Sequence, residues 1–76
     1  YDIERTVRFG AVEEVRDFVN AAGKCDFDID VYYNHVVIDA KSIVGMLALG
    51  LCKNMRICYG GTNKGFESLV SKYVVA

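Results

Sequence analysis

The sequence predicts an α+β fold in which three helices cover one face of a four-stranded antiparallel sheet, in the order β-α-β-β-α-β-α. Four short segments alternate apolar and polar residues, as strands with one buried face do. Three other segments repeat apolar residues every three or four positions, as amphipathic helices do. The chain has 76 residues, 53% of them apolar, so we expect one domain over residues 1–76 with a single core.

The first two elements are a strand and a helix. Ile3–Phe9 places apolar side chains at odd positions, and Gly10 ends this strand. The helical spacing runs from Ala11 to Gly23. Within this range Gly23 is expected to be the C′ residue, just past the end of the helix. Its apolar face consists of Val12, Val15, Phe18, Val19 and Ala22.

A β-hairpin is predicted next. Asp28–Tyr33 and His35–Asp39 are two short β-type segments that meet at Asn34-His35. Asparagine tolerates the positive φ that a tight hairpin turn requires. We expect His35, at the tip of this hairpin, to lie at the far end of the strand from the start of the first helix. A lone histidine in a loop is usually only a solvated side chain.

The last three elements are a short helix, a strand and a final helix. Ser42 is a good N-cap for a helix that begins at Ile43 and that Gly50 ends, with Met46 and Leu49 facing inward. Asn54–Tyr59 is the fourth strand. The final helix begins near Lys64, because apolar residues recur at helical spacing, namely Phe66, Leu69, Val70 and Tyr73.

The composition argues against several kinds of partner. A formal net charge of −1 lacks the basic balance of a nucleic-acid-binding protein. No apolar segment approaches the roughly 18 residues of a membrane span, and residues 1–7 do not resemble a secretory leader. We therefore predict a cytoplasmic protein that binds neither nucleic acid nor a membrane.

The cysteines do not indicate a metal site or a cofactor. Cys25, Cys52 and Cys58 are odd in number, their spacing fits no zinc pattern, and His35 is the only histidine. We expect three reduced thiols, of which Cys25 is a candidate reactive thiol if it is exposed.

The segment from Asp28 to Gly50 carries a resemblance to a known family. It contains Asp-Ile-Asp-Val-Tyr-Tyr-Asn and Val-Val-Ile-Asp-Ala-Lys-Ser-Ile-Val-Gly-Met-Leu-Ala-Leu-Gly. This resembles HPr, the histidine-containing phosphocarrier of the bacterial sugar phosphotransferase system. In HPr a hairpin precedes a Lys-Ser-Ile-Met-Gly helix that ends in Leu-Gly, and here Val44 replaces the methionine. The resemblance extends from Ala22 to Tyr59 and implies the HPr-like open-faced β-sandwich.

The resemblance also implies a degenerate active site. HPr carries Gly-x-His-Ala-Arg-Pro at the start of its first helix, and the histidine accepts a phosphoryl group from Enzyme I. Counting back from Lys24 places Ala11 at the histidine position, Glu13 at the arginine position and Glu14 at the proline position. No catalytic residue remains, and two carboxylates would repel a phosphate. We therefore expect no phosphohistidine transfer and no enzymatic activity.

Two features of the family are retained. In low-GC Gram-positive bacteria HPr kinase phosphorylates the serine equivalent to Ser42, and the product binds a transcriptional regulator of carbon catabolite repression. The resemblance thus implies Ser42 as a regulatory phosphorylation site, although its role as N-cap is a sufficient explanation by itself. It also implies that Ile43, Val44 and Leu47 bind protein partners, unless some of them belong to the core.

Two functional interpretations remain open at the level of sequence. In the first, the protein is a regulatory or protein-binding relative of HPr whose partners are HPr kinase, a transcriptional regulator or other phosphotransferase system components. In the second, it is a vestigial HPr domain that acts as a structural or scaffold module. Phosphoryl transfer through another residue is a third and weaker alternative.

Overall fold

The computed structural model describes residues 2–75 and contains the predicted elements in the predicted order. Tyr1 and Ala76, the ends of the predicted domain, lie outside the described residues. The elements are β1 (Ile3–Val7), α1 (Val12–Gly23), β2 (Ile29–Tyr33), β3 (Val36–Asp39), α2 (Ile43–Leu49), β4 (Met55–Tyr59) and α3 (Lys64–Val70). The strands form one antiparallel sheet in the order β1-β4-β2-β3, which confirms the predicted fold class.

The core lies between the sheet and the helices. Alternate side chains of the strands point to the helices and are inaccessible or nearly so, namely Val7, Ile29, Val31, Met55, Ile57 and Tyr59. Phe18 of α1 lies at the centre of an aromatic row, with ring centroids 5.1 Å from Phe9 and 5.7 Å from Phe66 of α3. This row joins α1 to α3, and Phe66 in turn packs edge-on against Tyr59 of β4.

The ends of two elements differ from the prediction. β1 ends at Val7, although Phe9 beyond it is fully buried. α3 ends at Val70, and Tyr73 lies outside the helix with its ring 5.1 Å from that of Phe9. The chain turns after α3 because residues 73–75 run antiparallel to β1, where the Val75 N–H donates to the Thr6 carbonyl at 2.9 Å. This pairing covers the free edge of β1 at Thr6 and Val7, the later half of the strand.

The ends of α1 also need correction. Gly23 is the last helical residue rather than the residue past the end, and Lys24 closes the helix in ordinary right-handed geometry. Ala11 is the N-cap rather than the first helical residue. β2, β3 and β4 each begin one residue later than predicted.

Candidate functional site

The start of α1 is where the resemblance implies an active site. Ala11 takes the N-cap position in an extended conformation, with no side-chain hydrogen bond to the helix. Glu14, in the first turn, reaches back so that its Oε1 accepts a hydrogen bond from the Gly10 N–H at 2.7 Å. Glu13 is exposed beside it. A carboxylate of the chain itself therefore lies against the positive end of the helix dipole, the place where an anion would bind.

The loop between α2 and β4 lies beside this helix start. The Cys52 N–H donates to the Phe9 carbonyl at 2.7 Å, and Cys52 is exposed with a φ of 60°. Cys25, the thiol named from sequence, is instead buried, and this burial raises its pKa. The sequence contains no local signal for this position of Cys52, because the position depends on the tertiary hydrogen bond to Phe9.

His35 does not join the start of α1. Asn34 and His35 form the β2–β3 turn, and Asn34 has the expected positive φ, 53°. Contrary to expectation, this turn lies at the same end of the sheet as the start of α1, because Tyr32 pairs with Arg56 and Val7 with Met55. The turn joins β2 and β3, however, which lie two and three strand spacings from β1, or roughly 10 to 14 Å away.

Ser42 begins α2. Its Oγ accepts a hydrogen bond from the Gly45 N–H at 3.1 Å, as an N-cap should, and its own N–H donates to the Asp39 carbonyl at 3.0 Å. The residue is exposed. Ser42 thus stabilises the helix through a hydroxyl that also faces solvent. Gly50, with a φ of 88°, ends the helix as predicted.

α2 presents an apolar surface to solvent. Val44 is 77% exposed and Leu47 is 42% exposed, whereas Ile43 is half-buried. We call these three residues the α2 patch. Met46 and Leu49 face the core, as predicted. The patch begins one residue after Ser42, so a protein bound there would also lie close to the Ser42 hydroxyl.

The described chain shows neither a metal cluster nor a membrane helix. Within residues 2–75 no group of three histidine, cysteine or acidic side chains could hold a metal ion. No helix among these residues is both long and apolar enough to cross a bilayer. The three cysteines of this range are free thiols.

Comparison with known proteins identifies the fold. No family model matches the chain, and no curated protein matches it. Among solved structures, HPr-C-His from Thermoanaerobacter tengcongensis superimposes with a TM-score of 0.74 at 22% identity, over 92% of each chain. The phosphocarrier protein HPr from Bacillus anthracis str. Ames superimposes with a TM-score of 0.72 at 21% identity, over 93% of this chain and 95% of the other. The protein therefore has the fold of the HPr phosphocarrier proteins.

Proposed function

We propose that the protein is an HPr-like regulatory or protein-binding module of the cytoplasm, without phosphohistidine transfer or catalytic activity of its own. The observation that carries the proposal is the α2 patch beside the exposed N-cap Ser42. A contiguous group of exposed apolar side chains, here Val44 and Leu47 with the half-buried Ile43, is typical of a surface that a partner covers. HPr kinase, a transcriptional regulator and other phosphotransferase system components are the partners that the HPr-like fold favours.

The start of α1 supports the loss of phosphoryl transfer. A phosphocarrier needs a nucleophile at the helix start and a cation that holds the phosphate. Here Ala11 offers no nucleophile, and the carboxylate of Glu14 already accepts the hydrogen bond of the Gly10 N–H. An approaching phosphate would meet this negative charge and that of Glu13, so the site disfavours it electrostatically.

Ser42 is the residue at which we propose regulation. Phosphorylation would add about 1.5 to 2 negative charges at the start of α2, where unpaired helix N–H groups favour them. It would also change the charge at the border of the α2 patch. A partner that binds this apolar surface can therefore distinguish the two states of Ser42.

Intact-mass measurement after incubation with HPr kinase and ATP tests the regulatory site. We expect the mass of one phosphate on the wild type and none on Ser42→Asn. Asparagine keeps the N-cap, so this variant removes the hydroxyl without the loss of about 1 kcal/mol that Ser42→Ala would cause. Ser68→Ala, which removes an exposed serine of α3, is the matched control and should still gain one phosphate.

Each result of this experiment has a distinct meaning. A wild type that gains no phosphate argues for a scaffold module instead of a regulated one. A phosphate that persists in Ser42→Asn places the modification elsewhere. Incubation with Enzyme I and phosphoenolpyruvate should add nothing, and a phosphate gained there would contradict our interpretation of Ala11 and Glu13.

Docking through the α2 patch predicts a second result. Val44→Lys should lower kcat/KM for phosphorylation by HPr kinase by about tenfold or more, because a charge replaces a central apolar contact. Folding should be unaffected, since Val44 is exposed and surface substitutions change stability by about 0.5 kcal/mol or less. Val37→Lys, an exposed valine of β3, is the control and should leave the rate unchanged. Equal rates for all three proteins would remove the patch from the proposal.

A further inference from the structure

The two edges of the sheet differ in how the chain protects them. Residues 73–75 cover the later half of the β1 edge. β3 forms the other edge, and no segment of residues 2–75 pairs with its outer side. Exposed edges are usually protected by a short strand, charged side chains, proline or a bulge. β3 is short, with four residues, but it contains no lysine or proline and exposes Val36 and Val37, at 44% and 54%.

The hydrogen-bond pattern shows which groups of β3 point outward. The Ala40 N–H donates to the Ile29 carbonyl of β2 at 2.9 Å. Because backbone groups of an antiparallel strand alternate in direction, those of Ile38 and Val36 also point to β2. The backbone groups of Val37 and the N–H of Asp39 therefore point away from the sheet. The Asp39 carbonyl accepts from the Ser42 N–H.

A like-charge pair lies along the same edge. Asp30 of β2 and Asp39 of β3 are directly opposite each other, an arrangement that destabilises a sheet. Asp39 Oδ1 accepts from the Lys41 N–H at 2.9 Å, but the Lys41 Nζ turns away to donate to the Cys25 carbonyl at 3.1 Å. In the described part of the chain the ion pairs involve other acids, Glu67 and Glu4. A basic group next to Asp39 would relieve this repulsion.

We propose that β3 pairs antiparallel with β3 of a second copy of this chain, about a two-fold axis at Val37. Residues whose backbone groups point outward must pair with each other, so the two-fold axis passes through a residue position and not between two residues. The register centred on Val37 brings His35 of each copy opposite Asp39 of the other. Each Asp30–Asp39 pair thereby gains the His35 side chain of the other copy, which is basic and can donate a hydrogen bond.

The same register brings the exposed valines together. Val37 meets its own equivalent at the axis, on the sheet face away from the helices. On the helix side of the sheet, Val36 of each copy lies opposite Ile38 of the other copy. The two sheets become one eight-stranded sheet. Because four-residue strands bury less than the standard interface area, we expect weak and reversible association.

This inference is independent of the proposed function, because it uses neither Ser42 nor the α2 patch. The two surfaces also serve as controls for each other. Val44→Lys, which we expect to weaken kinase docking, should leave self-association unchanged. Val37→Lys should abolish self-association, because it places two lysines side by side at the axis.

Sedimentation equilibrium up to about 1 mM protein tests the dimer, since small interfaces are weak. His35→Lys should retain or tighten association, whereas His35→Asp should weaken it by about threefold or more, because like charges oppose each other twice. Both changes fall on an exposed turn residue, and folding is checked by circular dichroism. The proposal is overturned if the wild type stays monomeric. It is also overturned if His35→Lys, His35→Asp and Val37→Lys all dimerise to the same extent. Loss of association in Val44→Lys would assign it to the α2 patch instead.

Discussion

Gly45→Ala is expected to destabilise the protein by about 1 to 3 kcal/mol, the usual cost of an overpacked contact. Alanine is normally favoured over glycine inside a helix by about 1 kcal/mol. Here an added Cβ would lie 2.7 Å from Cγ2 of Ile38 and 3.2 Å from the Ser42 Oγ. Ile38 is β-branched and held in β3, so its methyl group cannot move far without moving the strand. Urea unfolding monitored by circular dichroism measures the change.

Two further variants establish the cause. Gly65→Ala in α3 is the matched control, because its added Cβ would meet nothing nearer than 3.4 Å, and we expect this variant to gain stability. In an Ile38→Ala background the contact with Cγ2 of Ile38 is absent and only the 3.2 Å approach to the Ser42 Oγ remains, so Gly45→Ala should then cost much less. If Gly45→Ala costs the same in both backgrounds, the contact with Ile38 is not its cause.

This close contact gives a physical reason for one residue of the HPr resemblance. Gly45 belongs to the Lys41–Gly45 segment, which differs from the HPr pattern only at Val44, and it is where α2 approaches β3. The approach positions both Ser42 and the α2 patch. The periodicity of apolar residues predicted that Met46 and Leu49 face the core, and this is confirmed. Spacing alone could not show which way the patch faces, because that depends on how α2 sits on the sheet.

Other features depended on tertiary contacts that no local pattern contains. Tyr73 continues the helical spacing of α3, yet the chain turns before it, because residues 73–75 pair with β1. The position of His35 relative to α1 follows from the placement of β4 between β1 and β2. The hydrogen bond from the Gly10 N–H to Glu14 depends on one side-chain conformation at the helix start. The sequence therefore predicted the secondary-structure elements and their buried faces better than it predicted which residues of different elements lie together.

Alkaline pH is expected to unfold the protein through Tyr59. The ring is fully buried, stacked near Phe27 at 5.9 Å and edge-on to Phe66 at 5.2 Å. Its hydroxyl donates to Glu67 Oε2 at 2.5 Å, and Glu67 Oε1 lies 3.7 Å from Arg5. Burial, and then the hydrogen bond to Glu67 and the charge of that carboxylate, raise the pKa of Tyr59 above its ordinary value near 10.

The sign of the effect follows from proton binding. Below pH 10 both the folded and the unfolded chain keep the phenolic proton, so the stabilisation is fully present. Above pH 10 the unfolded chain loses this proton while the folded chain retains it. The unfolding equilibrium constant should then rise by up to about tenfold per pH unit, until the pH passes the folded pKa. Burial also raises the pKa values of Cys25, Cys58 and Tyr73, which adds in the same direction.

Tyr59→Phe isolates this contribution. At neutral pH the variant should be less stable by about 1 to 2 kcal/mol, because it loses a hydrogen bond to a carboxylate. Above pH 10 its stability should fall less steeply than that of the wild type, so the two curves converge. Tyr32→Phe, on the opposite face of the sheet, is the control and should retain the steep fall, because Tyr59 is still present. Parallel curves for the wild type and Tyr59→Phe would show that the buried hydroxyl does not control alkaline unfolding.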